Sequence, residues 1–137
     1  MTATVVAPTD DALPGQKRSP DYRCSATDME KFAEISGDRN SLHVQSGIVH
    51  GAYILAKLSG FVWGLFGDRV MVARSSFRLR EAVRVNDAFA FEVTSTTERL
   101  GVRLVEIDML KQANCAGDPI KIGTVSLQVV MFEPAGQ

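Results

Sequence analysis

Residues 48–63, Ile-Val-His-Gly-Ala-Tyr-Ile-Leu-Ala-Lys-Leu-Ser-Gly-Phe-Val-Trp, are apolar on nearly every face of a helix. Ile48, Ala52, Leu55, Ser59 and Val62 follow a 3.6-residue period, and Val49, Tyr53, Ala56 and Gly60 widen the stripe. Such a helix has to be wrapped by other structure. His50, Lys57 and internal glycines and serines make the 47–67 stretch too polar to span a membrane. Gly64, Gly67 and Asp68 end the helix. From Val70 the pattern changes to a period of two, giving strands over Val70–Arg80, Ala88–Thr97, Val102–Gln112 and Ile120–Met131. Val85-Asn86-Asp87, Arg99-Leu100-Gly101 and Ala116-Gly117-Asp118-Pro119 mark the turns. Turns this short make the last three strands antiparallel neighbours. Within Val102–Gln112, Val102, Leu104 and Ile107 set against Arg103, Glu106 and Asp108 predict one wet face.

Upstream, Pro8, Pro14, Gly15 and Pro20 describe a flexible lead-in over residues 1–19. One domain follows over 20–133, with a short tail at 134–137. Asp21–Ser25 reads as a short first strand. Thr27 and Glu30 fit a capping box that opens a helix carrying Met29, Phe32, Ala33 and Ile35 on one face. Gly37 is placed to stop it in the left-handed conformation. The segment 38–47 reads as a loop. The expected fold is α+β: a curled antiparallel sheet of about five strands around one long central helix. A chain of 137 residues suffices for one such core.

Composition narrows the partners. The chain is 45% hydrophobic and 23% charged with a net charge of −1 and no basic stripe, so no nucleic-acid partner is expected. The N-terminus lacks the basic-then-apolar order of a signal peptide, which makes a cytoplasmic location the expectation. Cys24, in the first strand, and Cys115, in a turn, form no metal or redox spacing and are expected to be free thiols. Two histidines are too few for a His-rich metal site, and no metal or cofactor is expected.

The chemistry concentrates between the two helices. Asp38, Asn40 and His43 follow the first helix within six residues, and His50-Gly51 leads into the second. A carboxylate and an imidazole five residues apart on an irregular segment can converge on one water. The amides opening the next helix can stabilise developing negative charge. This is an acid/base pair beside an oxyanion site, suited to water chemistry on an acyl compound. Each residue has a plainer reading. An Asp-x-Asn pair after a helix-ending glycine commonly bonds its own backbone, a lone histidine is commonly structural, and Ser59 can be a small residue for close packing. The combination favours a site.

Phe32-Ala33, Ser36-Gly37-Asp38, Asn40, Leu42-His43, Ile48-Val49-His50-Gly51 and Ser59 resemble the signature of the MaoC-like (R)-specific enoyl-thioester hydratases and dehydratases. Phe77, Ala82-Val83 and Asn86-Asp87 resemble a later strand motif of that family. The likeness runs from the capping box to the last strand. Ser41 stands where the family has proline, and Ala82 and Asn86 replace a proline and a glycine. The covering segment after the histidine is cut to Val44–Gly47. Its shortening suggests a specialised, polyketide-like pathway.

The resemblance implies the hot-dog fold and a cofactor-free lyase that interconverts 2-enoyl and (R)-3-hydroxyacyl thioesters of coenzyme A or an acyl-carrier protein. Asp38 and His43 would share the acid/base work, and which of them removes the water proton stays open. The Gly51 amide would hold the thioester oxygen. Asn40 would fix the loop or help hold the water, and Ser59 would reach the pocket. His50 would stand at the helix entry beside the substrate site, in a mainly structural role. Trp63, Phe61 and Phe66 read as core or dimer contact, and Arg78, Arg80 and Arg84 as a solvated face with a weaker claim to bind carrier phosphates. Thioester hydrolysis, isomerisation or cyclisation, and a non-catalytic subunit are the competing functions. A homodimer joined edge to edge is implied.

Overall fold

The computed structural model describes residues 17–112 and 117–132. Three helices precede four strands: α1 (Ala26–Ser36), α2 (Ser41–Val44), α3 (Gly51–Phe66), β1 (Val70–Leu79), β2 (Phe89–Arg99), β3 (Val102–Lys111) and β4 (Ile120–Met131). The strands form one antiparallel sheet in the order β1-β4-β3-β2. All four predicted strands form, with β4 over the residues expected, and the last three are antiparallel neighbours. The lead-in before Lys17, the tail after Phe132 and Cys115 lie outside the described residues.

The expected fifth strand does not form. Residues 17–22 run along the β2 edge without a continuous ladder, joined to it by isolated bridges, Arg18 with Glu92 and Tyr22 with Phe89, and by Ser19 N–H to Phe91 O at 2.8 Å. Pro20 is the physical reason, because it has no N–H to give a ladder. Ser19 makes up part of the loss: its hydroxyl accepts from the Phe91 amide at 2.8 Å. The chain then turns into α1 at Ser25.

The capping box sits two residues earlier than expected. The Ser25 hydroxyl accepts from the Asp28 amide, and the Asp28 carboxylate accepts from the Ser25 amide, both at 3.1 Å. The Asp28 carboxyl is held below its ordinary range first by that backbone hydrogen bond. Glu30, released from capping, pairs with Arg39 at 3.0 Å. Met29 and Ala33 are buried as expected, but Ile35 is 84% exposed on the opposite face. Gly37 ends α1 at φ +76°, the left-handed stop that its position predicted.

The sheet covers one side of α3 and does not close around it. Tyr53, Ile54, Leu58, Phe61 and Val62 face the sheet and are buried. They meet the inward side chains Phe89, Phe91, Val93, Val105, Ile107, Met109, Val125, Leu127 and Val129. Ala52, Ala56, Ser59, Gly60, Trp63 and Gly64 are exposed. The expectation of a fully wrapped helix is therefore corrected: four strands reach only the bulky face, and small residues occupy the other. On β3 the inward set is Val105, Ile107 and Met109, while Val102 and Leu104 are only half-buried. Among the described residues no strand pairs with the outer edge of β1, and β1 is exposed from Met71 to Ser76 on both faces.

Candidate active site

The segment 37–50 is built from short polar turns. The Ser36 hydroxyl accepts from the Asp38 amide at 3.1 Å, Asp38 Oδ1 from the Asn40 amide at 3.1 Å, and Asn40 Oδ1 from the Leu42 amide at 3.0 Å. These carboxylate and amide side chains stand in for backbone acceptors, as Asp and Asn do in turns. Asn40 thereby caps α2, a single helical turn where a loop was expected. The chain returns through Gly47 at φ +70°. It is pinned to the 83–85 segment by Val49 N–H to Val83 O at 2.8 Å and Val85 N–H to Gly47 O at 2.9 Å.

This scaffold turns His43 towards Asp38. His43 Nδ1 lies 2.7 Å from the carbonyl of Ile48. A carbonyl only accepts, so Nδ1 carries a proton, and in the neutral ring Nε2 then presents a lone pair. Asp38 Oδ2 is 3.6 Å from that Nε2. The separation is too long for a good hydrogen bond and leaves room for a shared water to tighten it. Asp38 divides its oxygens, Oδ1 holding the loop and Oδ2 facing the imidazole.

His50 supports the arrangement from below. It is 2% exposed, and its ring stacks on His43 with centroids 3.9 Å apart. Its Nε2 donates to the Asp38 carbonyl at 3.1 Å. Its Nδ1 is buried without a hydrogen-bond partner. The edge of Phe32 closes the other side of the ring, with centroids 5.0 Å apart. One nitrogen from each histidine and an Asp38 oxygen lie within 4.8 Å of one another, so two histidines suffice for a three-donor cluster.

A cavity of about 210 Å³ opens beside these rings, walled by Met29, Glu30, His43, Gln45, His50 and Val85 among others. Asp38 and Gly51 adjoin this wall without forming part of it. Gly51 is the first residue of α3, and amides in a first helical turn have no intrahelical acceptor. A Cβ placed on Gly51 would meet nothing within 4 Å, so the backbone there is not crowded by side chains on that side. Thus Asp38, Asn40, His43 and His50 come together, with Gly51 next to them. Ser59 does not join them: it is exposed, about 12 Å along the helix from Gly51, and absent from the cavity wall.

Sequence reasoning missed Glu30 and Gln45 as cavity residues. Glu30 was read as a cap, and Gln45 as a remnant of the covering segment. Arg84 is not on a strand; its guanidinium donates to the Ser46 carbonyl at 3.4 Å, across the loop that carries His43. Arg78 and Arg80 are exposed as expected.

The fold is shared with solved hydratase, dehydratase and thioesterase structures. An (R)-hydratase from A. caviae involved in PHA biosynthesis matches at TM-score 0.70 and 22% identity, over 91% of this chain and 100% of that one. This is the hot-dog fold. A MaoC-like dehydratase from Rhodospirillum rubrum matches at TM-score 0.61 and 16% identity, over 94% and 99% of the two chains. The hexameric thioesterase y2039 from Yersinia pestis matches at TM-score 0.63 and 13% identity, over 91% and 94%. No protein-family profile and no curated protein matches the sequence. On this scaffold Asp38, His43 and His50 gather one carboxylate and two imidazoles at one point. No helix among the described residues is long and apolar enough to cross a membrane.

Proposed function

We propose that this chain is a lyase that interconverts 2-enoyl and (R)-3-hydroxyacyl thioesters carried on coenzyme A or an acyl-carrier protein. The observation that carries the reading is His43, whose Nδ1 proton is committed to Ile48 O while its Nε2 lone pair faces Asp38 Oδ2 beside an open cavity. In hydration, a water held between Nε2 and Oδ2 attacks the β-carbon. His43 Nε2 takes one of its protons, while Asp38 accepts a hydrogen bond from the other and steadies the imidazolium that forms. The enolate oxygen of the thioester gains charge as the α,β-double bond is broken, and the Gly51 amide donates to it. Return of a proton from the pair to the α-carbon completes the addition, and dehydration is the reverse. Asn40 acts through the loop, by capping α2.

The assembly proposed is a homodimer joined through the free β1 edge. An edge strand exposed from Met71 to Ser76 is a ready template for pairing with a second copy. Met71, Val72 and the small-residue side of α3 with Trp63 would be covered by it. The short 44–47 segment supports a specialised substrate, because Val44, Gln45 and Gly47 are all of it that walls the cavity.

The test is incubation with crotonyl-coenzyme A, following loss of the enoyl-thioester absorbance and formation of the 3-hydroxyacyl product. Conversion that disappears in both Asp38→Asn and His43→Ala supports the reading. Release of free thiol without hydroxyacyl product would assign thioester hydrolysis instead, a reaction that the likeness to a thioesterase keeps in view.

A further inference from the structure

We propose that Asp38, His43 and His50 bind a single divalent transition-metal ion of the zinc class. The proposal does not depend on the hydration reading, although the ion would occupy the same lone pairs. Three observations carry it. The donor set is right: two imidazoles and one carboxylate are the ligands that such ions take, and three protein ligands leave a fourth position open. The tautomers are right as well. A metal-bound histidine ordinarily donates its other ring N–H to a carbonyl or carboxylate. Here His43 donates to Ile48 O at 2.7 Å and His50 to Asp38 O at 3.1 Å. Each ring is thereby left with one bare nitrogen, Nε2 in His43 and Nδ1 in His50. The third observation is independent of the cluster's geometry. His50 Nδ1 is a buried acceptor with no partner, on a side chain 2% exposed. A buried polar atom in that state carries a desolvation cost that a ligand would relieve.

The cluster is not in its bound geometry. Donor atoms at zinc bond lengths in a tetrahedron stand roughly 3.3 Å apart, whereas one nitrogen of each ring and an Asp38 oxygen lie within 4.8 Å of one another, and the His50 ring must turn to aim Nδ1 at the ion. The rings are also stacked, with planes 26° apart, so they must splay to aim both lone pairs at one ion. His43 can supply this movement, because it stands on a single-turn helix at the edge of the open cavity. The open coordination position would then face that cavity. An ion there takes Nε2 of His43 away from proton transfer, so the bound form and the acid/base form exclude each other.

The experiment is a Zn²⁺ titration by calorimetry of the untagged full-length chain, with Cys115→Ser in every protein so that this thiol adds no site. Co²⁺ serves as a second probe, its visible absorption reporting coordination number. The expected result is one Zn²⁺ per chain. Affinity should fall at least roughly tenfold in both Asp38→Asn and His43→Ala, the least that losing even a group supporting a ligand costs. Zn²⁺ should also raise the thermal midpoint of the parent but not of these variants. His50 is buried and its loss disturbs the fold, so the decision rests on the other two, whose side chains are less buried. Zn²⁺ binding equally to the parent and both variants, or not at all, would overturn the proposal. A chain that binds Zn²⁺ but, assayed free of metal, hydrates no enoyl thioester leaves the metal site standing and removes the enzymatic reading. The converse removes only the metal site.

Discussion

His43 and His50 lie face to face, ring centroids 3.9 Å apart, and each directs one nitrogen at a backbone carbonyl of the same segment. The buried ring fixes the position of the half-exposed one, and both fix the loop that carries Asp38. Chemistry and support are therefore divided between the two. Replacing His43 by Gln or Asp38 by Asn should lower kcat about 10²- to 10⁴-fold, the range that positioned proton transfer contributes. Thermal midpoints should stay near that of the parent, because neither side chain is a core residue. Steady-state kinetics beside thermal unfolding checks this; an Asp38→Asn protein with parental kcat would exclude Asp38 from the chemistry.

The two capping readings can be separated by substitution. Ser25→Ala should cost about 1 kcal/mol, within the 0.5–2 range for loss of an N-cap hydroxyl. Thr27→Ala, inside the first turn, should stay within about 0.5 kcal/mol of the parent. The cap also has a pH signature. The Asp28 carboxyl is depressed in the folded chain, so its contribution is present above its ordinary value of 3.8 and is lost as pH falls through the lower folded value. Urea unfolding of the two variants at neutral and acid pH measures both effects.

What was legible follows from how local each signal is. The four strands, the turns at 85–87 and 99–101 and the Gly37 stop are written in adjacent residues, and the structure holds them; the 116–119 turn begins outside the described residues. The first strand failed because its pairing depends on a partner almost seventy residues away and on Pro20, whose missing donor matters only once β2 is present. The cap slipped because Ser25/Asp28 and Thr27/Glu30 satisfy the same local rule, and only the Glu30–Arg39 pair and the burial of Met29 decide between them. Helical periodicity in 48–63 correctly gave the helix but not its covered face, because small residues count as apolar without requiring burial. The support of His43 by His50 joins two segments across a turn, and no spacing rule foretells a stacked pair.

Two glycines should behave oppositely when given a methyl group. At Gly123 in β4 a Cβ would stand 2.5 Å from the Arg78 carbonyl oxygen, a backbone atom of the neighbouring strand. Gly123→Ala must push β1 and β4 apart and should destabilise by about 1–3 kcal/mol, as overpacking does. At Gly51 the same methyl meets open space. Gly51→Ala should keep stability within about 0.5 kcal/mol, while crowding the path of a thioester oxygen to the amide and lowering kcat/KM. Measuring unfolding and turnover for both separates a packing glycine from a site glycine. A fully active Gly51→Ala protein would remove that amide from the mechanism.

Tyr53 supplies a test of the core that is independent of any activity. It is buried on α3, and its hydroxyl interacts with the buried thiol of Cys24. Burial, first of all, pushes its pKa from 10.0 to about 12. A raised pKa in an acid that is neutral when protonated means that the folded chain resists forming the phenolate. The associated stability is fully present below pH 10 and is lost as pH rises towards 12. The chain has two tyrosines, so Tyr22→Phe leaves Tyr53 as the only phenol. In that variant, phenolate absorbance should rise near pH 12 in the folded protein and near pH 10 in denaturant. Adding Tyr53→Phe should flatten the loss of stability between those two pH values. Coincident folded and denatured titrations would show that α3 does not bury this residue against Cys24, and the packing that sets the entry to the His50–Gly51 turn would need to be redrawn.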